Sequence, residues 1–447
     1  MKLSRFATIV EDYPVTGENL VFNTRTQALI KIDHRFRDAL RGLPGSLEAG
    51  DPRVREFLPH LRENGIVVED EQEDAAKLAD FFRQLKSGSS ELPLEATILT
   101  TYGCNFRCVY CFEESVKRNL AMDEKTARAA ADWLIRRARK RGIEKLFVVF
   151  YGGEPLLNTA PIVTISRALT AWAKSEGRQF AFGMITNGSL LTPAVVDTLL
   201  PLGLESVRVS VDGDRAGHDA KRPFADGSPS FDTIIANIES VIDKVPVAIA
   251  GNFDRANLPG IPRLLDMLKE RGLLKKLRYV NFLPIAPRLG PRSNPGQIEM
   301  GECLSFFGDD GMFADIINLK HELAARGIKS PSGLAVNACS LVIEDAGVTI
   351  DPRGDIYLCN ALLGYPEFSA GRVFDEDFSG KKEEFKAIDA WNKCAPDCPY
   401  IPMCQGGCRY FSYLEHQNLS SLVCKRGYYD RIVPELIKLE YHNLKGS

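Results

Sequence analysis

Three cysteines on one short stretch carry the most specific chemistry in the chain. Cys104, Cys108 and Cys111 stand with three and then two residues between them in TTYGCNFRCVYCFEES, Thr100 to Ser115. Three thiolates on one loop can hold three irons of a [4Fe–4S] cube and leave the fourth iron open. An open iron can bind a ligand and pass it an electron. The alternatives are a partial zinc site or three unrelated buried thiols. Zinc loops usually use Cys-x-x-Cys pairs and a fourth protein ligand, and no histidine lies near this loop.

The chain has 11 cysteines, of which seven more lie between 339 and 424, with Cys303 alone between the groups. Cys339 comes first, then Gly354 and Cys359, then Cys394, Cys398, Cys404 and Cys408, and last Cys424. Such clusters favour metal or cluster ligation over disulfides in a cytosolic chain. A zinc-ribbon-like unit is the alternative here, but seven thiolates suit tetrahedral ions poorly.

The elements that must position these groups follow from periodicity. Residues 1 to about 90 read as a small separate unit of short strands and amphipathic helices, ending in a Ser/Gly-rich linker near Ser87 to Ser90. From Leu94 the pattern becomes strand, loop, helix, repeated. Strand-like runs are EATILTT, KLFVVFY, QFAFGMITN, SVRVSVD, PVAIAGNF and LRYVNFLPI, with five helix-like runs between them. That alternation predicts βαβ units and a parallel sheet, either doubly wound or a partial barrel. The cysteine loop follows the first strand, and loops at strand C-termini are where α/β folds build sites. A helix is expected through Phe313 to Arg326. Beyond Ser330 the chain is loop-rich, with short strands at LVIED and at GVTIDPRGDIYLC, the latter a hairpin turning at Pro352–Gly354, and a closing helix over RIVPELIKLEYHNL.

Composition narrows the partners. With 447 residues, 45% hydrophobic and 26% charged, the chain can bury a large core in two to four domains. A formal net charge of −3 and the lack of a long basic run give no reason to expect a nucleic-acid or membrane-surface partner. MKLSRFATIVEDYP holds no apolar core of signal-peptide length, and no apolar run approaches the roughly 20 residues that span a bilayer. A soluble cytoplasmic protein is the expectation.

Further motifs fall in and just beyond the ends of successive predicted strands: YGGEP (Tyr151–Pro155), ITNG at 185–188, SVDG (Ser210–Gly213) and then HDAKRPFADGSPSF at 218–231. Two glycines permit close backbone approach, and Glu154 can accept hydrogen bonds from an ammonium. Each motif alone is weak; their order is not. Together with CNFRCVYC, which resembles the CxxxCxΦC loop with Tyr110 at the aromatic position, they resemble the radical S-adenosylmethionine (SAM) superfamily. The resemblance implies a partial (β/α)6 TIM-like barrel over residues 91–300. It implies a cluster on Cys104, Cys108 and Cys111 whose open iron chelates SAM, and reductive cleavage of SAM to a 5′-deoxyadenosyl radical. The implied SAM contacts are Tyr110, Gly152, Gly153, Glu154 (for the amino group), Asn187, Ser210, Asp212 and Arg222 (for the carboxylate). His218 is read as structural, and no further catalytic residue is assigned.

Residues 331–447 are similar to the SPASM extension, reached through a bridging helix at 301–330. One spacing departs: three residues, not two, separate Cys394 and Cys398. By resemblance Cys394, Cys398, Cys404 and Cys424 hold an outer auxiliary cluster and Cys339, Cys359 and Cys408 an inner one, making three [4Fe–4S] clusters in all. SPSGLAVNA supplies no extra cysteine for the inner cluster, and Cys303 is read as a free core thiol. Residues 1–90 more loosely resemble the winged-helix-like domain that captures leader peptides by strand addition. The fold expected is therefore α/β, with an N-terminal winged-helix-like domain and a C-terminal iron–sulfur domain. The function implied is a maturase that crosslinks a ribosomal precursor peptide through a thioether or carbon–carbon bond, with flavodoxin or ferredoxin as reductant. Formylglycine formation or another dehydrogenation is the alternative. Asn360 counts against formylglycine, because sulfatase maturases carry an Asp there as proton acceptor and an amide cannot take that proton. A non-catalytic iron–sulfur electron-transfer protein is the reading from a different class.

Overall fold

The computed structural model describes residues 1–45, 52–88, 94–111, 113, 119–286, 288–289, 298–299, 310–328, 333–336, 339–343 and 347–445. In the front unit β1 (Lys2–Leu3) pairs with β5 (Val67–Val68), and β2 (Ala7–Val10), β3 (Glu18–Asn23) and β4 (Leu29–Asp33) form an antiparallel sheet in that order. Helices α1 (His34–Arg41), α2 (Pro52–Glu63) and α3 (Glu71–Ser87) complete it. Asp33 starts α1 by accepting from the Phe36 amide at 2.8 Å, and Asp70 starts α3 by accepting from Glu73 at 2.8 Å. Period-two alternation sends Val21 of β3 to one core, with Phe36, Leu40 and Leu61. It sends Leu20 and Phe22 to another, with Val433, Leu436 and Ile437 of the C-terminal helix Arg426–Lys445. At the far end of the unit Phe82 of α3 stacks on Trp391, ring centroids 4.2 Å apart. Such a pair contributes about 0.5–1.5 kcal/mol beyond the area it buries.

Strands β6 (Leu94–Leu99), β7 (Lys145–Tyr151), β8 (Gln179–Thr186), β9 (Leu204–Ser210), β10 (Val247–Phe253) and β11 (Val280–Pro284) each pair in parallel with the next. Consecutive neighbours throughout mean that the winding never reverses. A doubly wound sheet would reverse, so the open choice resolves to a one-way partial barrel. The helices α4 (Glu124–Arg141), α5 (Thr159–Glu176), α6 (Pro193–Leu199), α7 (Arg215–Lys221), α8 (Phe231–Val241) and α9 (Gly260–Glu270) lie between the strands. In β7, Leu146, Val148 and Phe150 are fully buried, whereas Phe147, Val149 and Tyr151 on the other face are half-buried. That difference marks the barrel interior as a cleft.

The barrel does not close on itself. After the ribbon β12 (Arg288–Leu289) and β13 (Ile298–Glu299) and helix α10 (Asp310–Ala325), β14 (Val348–Ile350) joins β6 in parallel. β15 (Asp355–Tyr357) and β16 (Gly371–Arg372) follow antiparallel, giving a nine-stranded sheet. The predicted hairpin forms, with Gly354 at φ +83° and the Asp351 carboxylate accepting from Arg353 and Asp355 amides.

Two expectations are corrected. Helix α7 was not expected; it has seven residues, with His218 as its one buried side chain, too little for an apolar stripe to show. Leu341–Ile343, read as part of a strand, form a turn and a bend. Cys303 and most of the Pro/Gly-rich stretch PIAPRLGPRSNPG at 284–296 lie outside the described residues. Among the described residues no helix is long and apolar enough to cross a membrane.

Candidate functional site

The cysteine loop leaves β6 and is held along both of its edges. On one edge the amides of Gly153 and Glu154 donate to Thr101 and Gly103 carbonyls at 3.0 and 2.9 Å. A Cβ on Gly152 would stand 2.4 Å from the Thr101 carbonyl oxygen, and one on Gly153 would stand 2.2 Å from that of Gly103. Both values are far inside contact distance, so no other residue fits. The close approach that the glycine pair permits is thus made to the loop's own backbone. On the other edge Arg107 and Val109 donate to Pro223 and Lys221, each at 3.0 Å, and Ala225 donates to Asn105 at 2.8 Å. Phe106, buried, meets Phe224 edge-on at 4.8 Å. The segment after α7 therefore serves as a strand for the loop to lie against.

These contacts bring Cys104, Cys108 and Cys111 to the rim of a cleft of about 360 Å³ at the strand C-termini. Tyr110, Gly152, Gly153, Asn187, Ser210 and Arg222 line the same cleft. The Asn187 amide donates to Asn105 at 2.8 Å and lies 4.0 Å from the Cys104 sulfur. Arg222 donates to the Tyr110 hydroxyl at 2.7 Å, and its Nε has no hydrogen-bond partner among the described residues.

Two of the expected contacts sit beneath the cleft instead of in it. Glu154 is fully buried and accepts from Thr186 Oγ1 (2.7 Å), the Asn187 amide (2.8 Å) and the Leu156 amide (3.1 Å). Burial raises its pKa despite those donors. It ties the end of β7 to the end of β8. Asp212, also fully buried, accepts from the Asn252 amide at 2.9 Å and from the Tyr110 hydroxyl. Burial likewise raises its pKa, against the pull of Arg222. The Tyr110 phenol, pushed well up by burial, stays a neutral donor to it.

His218 is the hub behind this arrangement. The Asp212 amide donates to its Nδ1 at 3.2 Å, its Nε2 meets Ser230 Oγ at 3.1 Å, and that hydroxyl donates to the Arg222 carbonyl at 2.7 Å. A ring that accepts at Nδ1 must be neutral. Burial first, and the Arg222 cation next, lower its pKa from 6.5 to about 3.

The downstream cysteines fall into two groups. Burial, then the neighbouring Cys339 and Cys408, push the Cys359 thiol up to about 12. Burial, then Cys404, Cys398 and Cys424, push Cys394 up to about 11. Thiols held that high stay protonated at neutral pH unless a cation takes the proton's place. Among the described residues no three His, Cys, Asp or Glu side chains converge closely enough for one metal ion. A single zinc would hold its thiolates about 3.8 Å apart, from Zn–S bonds of about 2.3 Å. A four-iron cube with one thiolate per iron spaces them more widely. Arg409, buried, braces both groups through hydrogen bonds to the carbonyls of Gly406, Gly407, Leu419 and Ser421.

Sequence reading missed Arg208, Asn252, Asn281 and Thr97, which also line the cleft. Strand parity with Ser210 would have found Arg208; the other three need the register.

Residues 98–270 match the radical SAM superfamily. The AdoMet-dependent heme synthase of Methanosarcina barkeri is 32% identical over 176 residues, 38% of this chain and 46% of that protein, so the chain spans less than half of that relative's length. The cysteine-type anaerobic sulfatase-maturating enzyme of Clostridium novyi is 24% identical over 327 residues, 68% of this chain and 85% of that one. Among solved structures, anSMEcpe with bound AdoMet and Kp18Cys peptide has a TM-score of 0.59 at 17% identity, covering 79% of this chain and 98% of its own. Streptococcus suis SuiB bound to precursor peptide SuiA has a TM-score of 0.51 at 15% identity, covering 94% and 98%.

Two outcomes follow from the packing. In a Gly153→Ala variant the loop must shift. The iron content after anaerobic reconstitution should fall by about four atoms per chain, one cube's worth, while the downstream cysteines still load; unchanged iron would show that the loop tolerates the shift. For His218 the folded pKa lies below the unfolded one, so its contribution is complete above pH 6.5 and is lost as pH falls from there towards 3. Between pH 6.5 and 5 the parent should lose about 1.6 kcal/mol more unfolding free energy than a His218→Asn variant, the slope reaching about 1.4 kcal/mol per pH unit only below the unfolded pKa. Parallel urea curves at the two pH values check this.

Proposed function

Residues 98–270 are a radical SAM domain, and from that premise we propose that the chain modifies a ribosomally made precursor peptide by radical chemistry. The observation that carries the reading is one cleft holding all three loop cysteines together with Gly152, Gly153, Asn187, Ser210 and Arg222. Cys104, Cys108 and Cys111 would hold a [4Fe–4S] cluster. Ser210, Asn187 and the Nε of Arg222, which has no hydrogen-bond partner among the described residues, would orient the charged end of SAM, with Tyr110 held behind them by Asp212. Bound there, the cluster and SAM supply a one-electron route to hydrogen-atom abstraction from an unactivated carbon. The protein's part is to hold the loop, orient the two and keep the cleft's polar contacts in place.

Cys339, Cys359 and Cys408 would hold an inner auxiliary cluster, and Cys394, Cys398, Cys404 and Cys424 an outer one. Asn360, next to Cys359, lines the cleft, which sets the inner group's loop beside the substrate. The front unit would capture a leader peptide. β4 is an edge strand of its three-stranded sheet, and an extended peptide can pair there. SuiB is bound to precursor peptide SuiA and anSMEcpe to the Kp18Cys peptide, so a peptide substrate suits both neighbours. A thioether or carbon–carbon crosslink is the modification proposed, with flavodoxin or ferredoxin as cytoplasmic reductant.

Formylglycine formation is the second reading, favoured by similarity to a sulfatase-maturating enzyme over 85% of its length. The cleft weighs against it. At the position of the expected carboxylate stands Asn360, whose side-chain oxygen accepts from Thr349. An amide there is no base at neutral pH.

Anaerobically reconstituted protein with a strong reductant should release 5′-deoxyadenosine from SAM. A short peptide encoded beside the gene, co-expressed, should lose two hydrogens per crosslink by mass spectrometry. Fully loaded clusters without 5′-deoxyadenosine would mean an electron-transfer protein instead. Deleting residues 1–88 should abolish leader binding and spare SAM cleavage; leader affinity unchanged by the deletion would remove the capture role.

A further inference from the structure

Inside the barrel, one inward-facing position below Ser210 on β9, stands Arg208. Two residues of strand put it about 6.6 Å further from the strand C-termini, where the cysteine loop, Gly152, Asn187 and Ser210 gather. It lines the cleft and is partly buried. Its register partners are Ile185 on β8 and Ala248 on β10. On the β10 side Ala248 is short, and so are Ser210 and Ala250, the next pair along, which leaves space beside the guanidinium. Among the described residues Arg208 makes no hydrogen bond and no ion pair, and Glu113, a buried carboxylate, lines the same cleft. Asn281, beside Ala250 in the register, also faces the cleft with no hydrogen bond from its amide among the described residues.

A partly desolvated guanidinium with no hydrogen-bonded partner among the described residues is costly unless a ligand supplies one. We propose that Arg208 determines specificity by binding a carboxylate of the substrate peptide, an Asp or Glu side chain, inside the barrel below the SAM site. The planar fork of a guanidinium takes a carboxylate through two parallel hydrogen bonds. Asn281 can take an adjacent peptide group as donor or acceptor. The residue thereby fixes which segment of an extended peptide lies in the cleft. It names the substrate class for the proposed function: a core segment with an acidic side chain close to the reacting carbon. This inference rests on the radical SAM peptide-maturase reading.

The test uses the full chain, reconstituted with iron and sulfide and saturated with SAM. Blocked tripeptides Ala-Asp-Ala and Ala-Glu-Ala are compared with Ala-Asn-Ala and Ala-Gln-Ala by ligand-observed NMR. An acidic peptide should bind at least about ten-fold more tightly than its amide isostere, as expected of a charge-assisted pair. R208Q should erase the preference, R208K should keep part of it, and SAM affinity should stay within about two-fold of the parent, because the pair lies outside the SAM contacts. Equal affinity for acidic and amide peptides, or no binding of either, overturns the proposal. So does an acidic preference that survives in R208Q, or a matching loss of SAM affinity, which would give the cation to SAM. Release of 5′-deoxyadenosine from the same preparations reads the radical chemistry separately. Its absence would remove the proposed function and leave the peptide preference still measurable.

Discussion

The contact on which the site depends is backbone against backbone. The turn at Gly152–Gly153 presses onto Thr101–Gly103 at distances that exclude any side chain. Its amides complete the loop's hydrogen bonding on that edge. Lys221–Ala225 does the same on the other edge. A loop with three cysteines has no apolar core of its own, so its shape must come from such pairing. The sulfurs then point where the barrel opens.

A second layer fixes the polar side chains. Glu154, Asp212 and His218 all carry charges or partial charges that would be costly if left unpaired in a buried setting. Each instead ties two strand ends or a strand end and α7 together. They hold Asn187, Tyr110 and Arg222 in place without lining the cleft themselves. The motifs that look like a set of cofactor contacts thus partly line the cleft and partly support the residues that do.

The downstream half is coupled to the barrel through the sheet. β14 extends it past β6, and the β14–β15 hairpin leads to Asn360, which lines the cleft next to Cys359 in sequence. The front unit is anchored at two separate places, on the C-terminal helix through Leu20 and Phe22 and near Trp391 through Phe82. β4 and the cleft within the barrel are thereby parts of one packed body.

The element pattern and the cysteine loop were legible in the sequence, because strand and helix periods and ligand spacings are local properties. α7 was not, since seven residues carry too little periodicity. The choice between barrel and doubly wound sheet needed strand order, which is a long-range property. The roles of Glu154 and Asp212 also needed the fold: composition makes a carboxylate a good acceptor, but only the register decides whether its acceptors are spent on neighbouring amides or face a cleft. For the same reason the glycine pair could be read as permitting close approach, while only the tertiary structure showed that what approaches is the cysteine loop. Arg208 illustrates the limit most plainly. Its type is visible in the sequence, but whether a cation meets a partner or stands alone is settled by which strands pack beside it.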